Sequence, residues 1–447
     1  MNHKSLSRIL LVLVVMVVSF TATCFAQYQE TVLYQFNYLT GDSPAGIVFD
    51  TNGNILGTAG TGGHSGTCLG CGTVFELSPN SSGGWTETTL HIFDGSDGNG
   101  PYFGLIPGTN GNFFGTTSYG AEACGCGTVF ELSPTSSGSY TFQTIYRFSG
   151  GSDGGRPFGL TLDANGNIYG AATSGGLTGC CGTVFELSPP AVQGGSWIQS
   201  VLYSFTGGSD GSNPSGVAFD SVGNLFGFAT VAGDKTSYYC GTLLIGCGTA
   251  FRLAPSVGGS WIFDVIFTFE QSTGAEPIGN PVFDAADNLY GQAAFGGKAC
   301  SNNYTGCGTI FQLSPSSQGE WSFHLMHAFS GKYDGGEPVG QPILDAEGNF
   351  YETAFLGGST ACGRSYGCGT VFKISPIAGG GWQFIRLWAF PGEPNGGAIP
   401  IAGVSFDAAG NIYGSTAGGG HYQNKKQCGG GCGVIYELSP SANKIPH

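Results

Sequence analysis

Paired cysteines are the residues of this sequence whose type and spacing could do chemistry. The chain has 15 cysteines, and all except Cys24 fall into close pairs. The pairs are Cys68 and Cys71, Cys124 and Cys126, Cys180 and Cys181, Cys240 and Cys247, Cys300 and Cys307, Cys362 and Cys368, and Cys428 and Cys432. An even count behind an export signal favours disulfides, and pairing within each loop is the simplest connectivity.

Two of these pairs are close for an unstrained disulfide, and zinc binding is another known role of paired cysteines. Adjacent residues such as Cys180 and Cys181 have Cα atoms about 3.8 Å apart, whereas unstrained disulfides prefer roughly 4.4–6.8 Å. Cys124 and Cys126 are nearly as close, so these two pairs could instead stay reduced or bridge neighbouring loops. Structural zinc needs four ligands, each pair offers two, and no histidine recurs beside them. We therefore expect no zinc.

Aspartates followed by glycine form a second repeated set. They are Asp97, Asp153, Asp210 and Asp334. A ring of carboxylates on one face of the molecule could bind calcium through oxygen ligands. However, each loop offers one carboxylate, and Asp-Gly is first of all a turn former. We expect turns, with calcium as the alternative and no other cofactor.

Polar and aromatic residues collect in the cysteine loops of copies four to seven of the repeat described below. The candidate binding residues are Tyr238, Tyr239, Asn303, Tyr304, Arg364, Tyr366, His421 and Tyr422. Variable loops on a rigid scaffold are where recognition usually lies. These side chains suit a glycan or an extracellular protein, although tyrosines there could simply cover the ring.

No catalytic residues are assigned. The sequence has no zinc-protease helix motif and no Gly-x-Ser-x-Gly elbow. The first hypothesis is therefore a non-catalytic binding or scaffolding module. The alternative is a carbohydrate-active enzyme, a hydrolase or lyase, with acidic residues at the mouth of the ring, because sequence spacing does not reveal which carboxylates meet.

One unit repeats seven times and must position these residues. Its clearest phrase, Cys-Gly-Thr-Val-Phe-Glu-Leu-Ser-Pro, occupies 71–79, 126–134 and 181–189, and altered copies occupy 247–255, 307–315, 368–376 and 432–440. In the third copy we predict strands at 157–163, 167–173, 182–189 and 197–205. The inner strands are apolar on both faces, as in a sheet buried between two neighbours. Each cysteine pair falls between the second and third strands.

The two ends of the chain predict a closed ring. Residues 28–36 resemble a fourth strand without the first three, and residues 437–440 end a third strand without a fourth. Pairing these ends removes an exposed sheet edge. We predict an all-β, seven-bladed β-propeller with four antiparallel strands per blade, formed by residues 27–447 as a single domain.

The N-terminus predicts export. Lys4 and Arg8 precede an apolar run from Ile9 to Phe20, which is short for a membrane span of about 20 residues. We expect cleavage after Ala26 and a secreted or periplasmic protein. A lipid anchor on Cys24 is the alternative.

Charge and hydropathy limit the partners. The formal net charge is −15, which disfavours nucleic acid and anionic membrane surfaces. No later segment reaches 18 consecutive apolar residues, so we expect no membrane span. We expect a monomer.

The repeated phrases carry a family resemblance. The glycine-rich loop followed by Gly-Thr-Val-Phe-x-Leu-Ser-Pro, as at 72–79, 127–134 and 182–189, resembles the GloVer tandem repeat of exported bacterial proteins. The resemblance covers nearly the whole chain after residue 26. It implies an extracellular repeat protein and supplies no catalytic residues.

Overall fold

The computed structural model forms seven small antiparallel sheets in a ring, which is a seven-bladed β-propeller. It describes residues 28–120, 124–192, 194–233, 240, 246–300, 306–392, 394, 396–420, 428 and 430–441. The predicted signal segment, residues 1–26, lies outside the described residues. Within the described ranges, no helix has the length and apolarity to cross a bilayer.

The strands follow one another blade by blade, in four-stranded units. The chain opens with β1 (Tyr28–Gln35), and blade 1 follows as β2 (Asp42–Phe49), β3 (Ile55–Thr61), β4 (Thr73–Pro79) and β5 (Trp85–Ile92). Blade 2 is β6 (Ile106–Pro107), β7 (Phe113–Thr117), β8 (Thr128–Pro134) and β9 (Tyr140–Arg147). Blade 3 is β10 (Gly155–Leu162), β11 (Ile168–Ser174), β12 (Thr183–Ser188) and β13 (Ile198–Ser204). Blade 4 is β14 (Ser212–Phe219), β15 (Leu225–Val231), β16 (Thr249–Pro255) and β17 (Trp261–Thr268).

The last three blades include two interrupted first strands. Blade 5 is β18 (Ala275–Phe283), β19 (Leu289–Phe295), β20 (Thr309–Pro315) and β21 (Trp321–Ala328). Blade 6 is β22 (Gly336–Pro338) and β23 (Ile343–Leu344), which share one edge, then β24 (Phe350–Gly358), β25 (Gly367–Pro376) and β26 (Trp382–Ala389). Blade 7 contains β27 (Gly397–Ala398), β28 (Val404–Phe406), β29 (Ile412–Thr416), β30 (Gly418–Gly419) and β31 (Val434–Pro440).

The predicted closure of the ring is confirmed. Strand β1 pairs with β31 in antiparallel register, from Tyr28 opposite Pro440 to Gln35 opposite Val434. Glu30 adds a second contact, because its carboxylate accepts hydrogen bonds from Trp388 Nε1 at 3.0 Å and from the Gly397 amide at 2.8 Å. The first strand of the chain therefore ties blade 7 to blade 6 as well as completing it.

In six of the seven blades an aspartate precedes the turn between the first two strands, and it acts as predicted. In blade 3, Asp163 Oδ1 accepts hydrogen bonds from the amides of Asn165 at 2.8 Å and Asn167 at 2.9 Å. The same pattern recurs at Asp50, Asp220, Asp284, Asp345 and Asp407. These side chains hold the turn that joins the strands.

The apolar core lies in the seams between blades. Seven clusters of buried side chains occur, and each draws its members from two adjacent blades. Phe185 on the third strand of blade 3 is fully buried, and its ring packs edge-on against Phe148 of the preceding blade at 5.1 Å. Burying such a side chain is worth roughly 1.5–3 kcal/mol, so every blade is stabilised chiefly by its neighbours.

Candidate functional site

The cysteine loops and the connections between blades share one end of the ring, which we call the cysteine face. Backbone bonds join the two sets. Gly176 N donates to Gly151 O at 2.9 Å, Gly233 N to Gly208 O at 3.0 Å, and Gly358 N to Lys332 O at 2.8 Å. The cysteine loops are thus fixed to the connections between blades by backbone hydrogen bonds.

Disulfides close the cysteine loops. The structure joins the two cysteines of every pair, with Cα separations from 3.7 Å at Cys180–Cys181 to 5.9 Å at Cys68–Cys71. This agrees with the local pairing expected from the sequence, including the adjacent pair. Asp42 lies beside the Cys428–Cys432 bridge, but bridged sulfurs are not the thiolates that bind metal ions.

The four candidate calcium aspartates are bonded within their own turns. Asp153 accepts from Ser149 N at 2.9 Å and from Tyr146 Oη at 3.1 Å. Asp210 accepts from Thr206 and Tyr203 in the same way. Asp334 bonds to Ser330 and to His327 Nε2, and Asp97 bonds to Asp94 N and to His91 Nε2. A calcium ion would have to displace these donors.

Residues with positive φ form a ring where the chain enters each blade, and sequence reasoning missed it. Each stands just before a proline and has φ between 50° and 69°. We call them the pre-proline ring: Ser43, Gly100, Arg156, Asn213, Glu276, Glu337 and Ile399. Their amides donate to a cysteine carbonyl of the preceding copy at 2.7–3.2 Å. The left-handed region is unfavourable for residues other than glycine, so tertiary contacts must hold it.

The same contact explains the repeated Cys-Gly. A Cβ atom on Gly182 would meet Cδ of Pro214 at 2.5 Å. The proline after each pre-proline residue can therefore pack only against a glycine of the preceding copy. The backbone frame is the same in all seven copies, whereas the pre-proline residue varies and is shared only by blades 5 and 6, which both have glutamate.

A cavity of about 300 Å³ lies on the axis below the pre-proline ring. Its walls come from the first strands of the blades and are mostly apolar, with Phe103, Phe158 and Ile401 among them. The side-chain amides of Asn280 and Gln341 also line the cavity. Asn280 Nδ2 donates to Leu160 O at 3.1 Å, and Gln341 Nε2 donates to Asn280 O at 3.2 Å. Apolar walls with a few fixed polar groups are typical of small-ligand sites.

Tyr102 is the one ionisable side chain among the described residues that line this cavity. Its side chain is 37% exposed, and burial, followed by the charges of Tyr119 and Asp42, raises its pKa. It is therefore neutral at ordinary pH. Tyr119 stands nearby, with the Arg156 guanidinium 5.2 Å from its ring centroid.

One buried acid lies behind the cavity wall. Glu352 on β24 is fully buried and faces Phe372 in the pairing, where blades 1 to 5 and blade 7 have glycine. Its Oε1 accepts from the amide of Gly340 at 2.9 Å, and its Oε2 has no partner in the described residues. Burial raises its pKa well above the usual range. The broken glycine pattern was the sequence signal for it.

Two acids of the pre-proline ring stand on neighbouring blades. Burial, and then the charge of Glu276, raises the pKa of the Glu337 carboxyl. Glu276 and Glu337 thus occupy equivalent positions on blades 5 and 6.

Most of the predicted binding residues cannot be placed. Tyr238, Tyr239, Asn303, Tyr304, His421 and Tyr422 lie outside the described residues. Arg364 and Tyr366 are described, and Arg364 Nη1 donates to Tyr366 Oη at 2.9 Å. Tyr366 lines a groove of about 350 Å³ on the cysteine face of blade 6, together with Lys332 and Tyr333.

Comparison with known proteins gives a family match and remote structural likenesses. The model of the Gloeobacter/Verrucomicrobia repeat matches residues 64–244 and 240–446. A search of the curated proteins finds no relative. A gluconolactonase from Xanthomonas campestris is 12% identical, with a TM-score of 0.40, over 82% of this chain and 92% of that chain.

Two further solved structures are similar to the same extent. The PQQ domain of a pyranose dehydrogenase from Coprinopsis cinerea is 12% identical, with a TM-score of 0.42, over 92% of this chain and 97% of that chain. The extracellular domain of a protein described as a hybrid two-component system of B. thetaiotaomicron is 13% identical, with a TM-score of 0.49. The match covers 93% of this chain and 41% of that domain.

Proposed function

The chain belongs to the Gloeobacter/Verrucomicrobia repeat family, and from that premise we propose that residues 27–447 act as one exported, non-catalytic binding domain whose axial cavity takes a neutral saccharide. The repeat supplies the same frame seven times and leaves function to the positions that vary. Those positions gather at the cysteine face and along the axis. Secreted or periplasmic placement is supported by the cysteine bridges, which persist in oxidising compartments.

The observation that carries the proposal is the lining of the axial cavity. Tyr102 offers an aromatic face at the mouth, and Asn280 and Gln341 offer amides below it. Sugars combine apolar ring faces with hydroxyl groups, and aromatic rings with amide groups match both. The described lining contains no carboxylate, histidine, lysine or arginine, and Tyr102 is its one ionisable side chain, so the described lining has no pair of carboxyls for glycoside cleavage.

Titration calorimetry of residues 27–447 against a panel of neutral oligosaccharides tests the proposal. We expect one member to bind, and Tyr102→Ala to weaken it about tenfold or more, because the aromatic platform is lost. Tyr333→Ala is the matched control, since it removes an exposed tyrosine far from the axis. The proposal fails if no neutral saccharide binds, or if both alanine variants weaken binding equally.

Glu276 and Glu337 favour a second candidate, a carbohydrate-active enzyme. Burial raises the pKa of the Glu337 carboxyl, and Glu276 holds the equivalent position on the neighbouring blade. Glycoside cleavage uses two carboxyl groups, one of which has a raised pKa. In the same titration, turnover of the bound saccharide that disappears in Glu337→Gln, while binding persists, would favour the enzyme over the binding module.

A further inference from the structure

The groove on the cysteine face of blade 6 combines parts of the chain that are distant in sequence. Lys332 and Tyr333 come from the connection between blades 5 and 6, and Thr360, Ser365 and Tyr366 come from the cysteine loop of blade 6. The Gly358 amide donates to Lys332 O at 2.8 Å and holds the two walls together. The groove is therefore a fixed depression at the rim and separate from the axial cavity.

One cation lines this groove, and two more contact its tyrosines. The Arg386 guanidinium lies 3.5 Å from the centroid of the Tyr333 ring, and its Nη1 donates to Tyr333 O at 3.1 Å. Arg364 binds the Tyr366 hydroxyl from the other side. Lys332 is exposed at the edge.

None of the three cations has a carboxylate partner among the described residues. Ion pairs there join His91 to Asp97, Arg252 to Asp264 and His327 to Asp334. Asp334 is next to Tyr333 in sequence, but His327 and Ser330 already bond its carboxylate. In a chain with 29 acidic residues and only 14 Lys and Arg residues, three unpaired cations around one groove form a local positive site.

We propose that this groove binds a short acidic saccharide, with a uronate carboxylate held by Lys332 and Arg364 and a sugar face against the Tyr333 and Tyr366 rings. Charge-assisted hydrogen bonds to carboxylates are about twice as strong as neutral ones. The tyrosines supply apolar contact area at little entropic cost because they have few rotatable bonds. A long polyanion such as nucleic acid would extend beyond the groove onto an acidic surface, which disfavours it.

The experiment titrates residues 27–447 with trigalacturonate and with its fully methyl-esterified form, which has the same backbone without the charges. We expect the free acid to bind, the ester to bind about tenfold more weakly or not at all, and added salt to weaken the free acid. Lys332→Gln/Arg364→Gln should weaken the free acid about tenfold or more. Lys332→Arg should retain binding.

Arg147→Gln is the matched control, because it removes the same charge from an exposed position on blade 2. It should change the affinity by less than about twofold. Equal affinity for acid and ester, equal weakening by the control, or tighter binding of hexaglutamate than of trigalacturonate would each overturn the proposal. The Tyr102→Ala variant should keep groove binding, so failure of the axial site and failure of the groove give different results.

Discussion

Blade 3 and blade 6 pair their second, third and fourth strands in the same way, but they differ in the residue that faces the buried phenylalanine of the third strand. Gly170 lies opposite Phe185 in blade 3, and Glu352 lies opposite Phe372 in blade 6. The first strand of blade 3 runs unbroken as β10, whereas that of blade 6 is divided into β22 and β23. The interruption covers residues 339–342, and it includes Gly340, whose amide donates a hydrogen bond to Glu352.

This difference shows what the repeat fixes and what it leaves free. A Cβ atom on Gly170 would meet the Phe185 ring at 2.6 Å and Leu160 Cδ2 at 2.8 Å. A side chain therefore fits at this position only if both the phenylalanine ring and the first strand shift, and in blade 6 the first strand is interrupted at this point. The departure from the repeat at Glu352 thus coincides with an interrupted first strand whose residues Val339, Gly340 and Gln341 line the axial cavity.

Exchanging the two residues is the most direct test of this difference between the blades, and we expect it to have the largest effect. Gly170→Glu should destabilise the fold by more than about 4 kcal/mol, because it overpacks a seam and buries an unpaired acid. Glu352→Gly should change the free energy of unfolding by less than about 2 kcal/mol, because one hydrogen bond is lost and one unpartnered oxygen is removed. Denaturant unfolding followed by circular dichroism measures both. A Gly170→Glu variant as stable as wild type would show that the glycine is not required.

The protonation of Glu352 gives a second test, because it makes the stability of the protein depend on pH. Burial raises its pKa, so the folded state keeps a proton that the unfolded chain releases. Stability is then lost as pH rises above the unfolded-state pKa. We expect the melting temperature of Glu352→Gln to exceed that of wild type increasingly from about pH 4 to about pH 8. For a single domain of this length, about 1 kcal/mol corresponds to roughly 1 °C in melting temperature.

Glu347→Gln provides the control for this pH series. Glu347 is an exposed carboxyl of the same blade, so its removal should leave the pH dependence parallel to wild type. Glu30, whose pKa burial raises to about 6, contributes a similar slope in every variant and cancels from the difference. A constant gap between Glu352→Gln and wild type would mean that the acid is ionised in the folded protein.

The architecture was predictable because its signals are local and repeated. Asp163 and its equivalents identify the turns, Phe185 and its equivalents identify the third strands, and the unmatched ends at 28–36 and 437–440 predict the closure. Each of these depends on residues close in sequence or on the copy number. The strand bounds predicted in blade 3 differ from those found by only one or two residues.

The candidate sites were less predictable because they depend on distances between blades. Nothing local shows that Arg156 or Glu337 adopts a left-handed backbone, since the preceding copy holds it there. Tyr366 was recognised in its loop, but Lys332 and Tyr333, which complete the groove, come from a different connection. Glu352 was visible only as a broken pattern, and its burial follows from the packing of the seam.

The smallest effect on stability that we expect concerns a tyrosine hydroxyl that occurs at the same position in both blades. Tyr351 Oη lies 3.1 Å from Asp345 Oδ2 in blade 6, and Tyr169 Oη lies 3.5 Å from Asp163 Oδ2 in blade 3. A hydrogen bond to a charged acceptor contributes about 1 kcal/mol or slightly more at the shorter distance and little at the longer one. Tyr351→Phe should therefore lower the free energy of unfolding by about 1 kcal/mol, and Tyr169→Phe by less than about 0.5 kcal/mol. Since each substitution removes only one oxygen from a largely buried ring, chemical denaturation can compare them directly. Equal losses of unfolding free energy would mean that the two hydrogen bonds are equally strong. The difference between blades 3 and 6 would then be confined to the wall of the axial cavity.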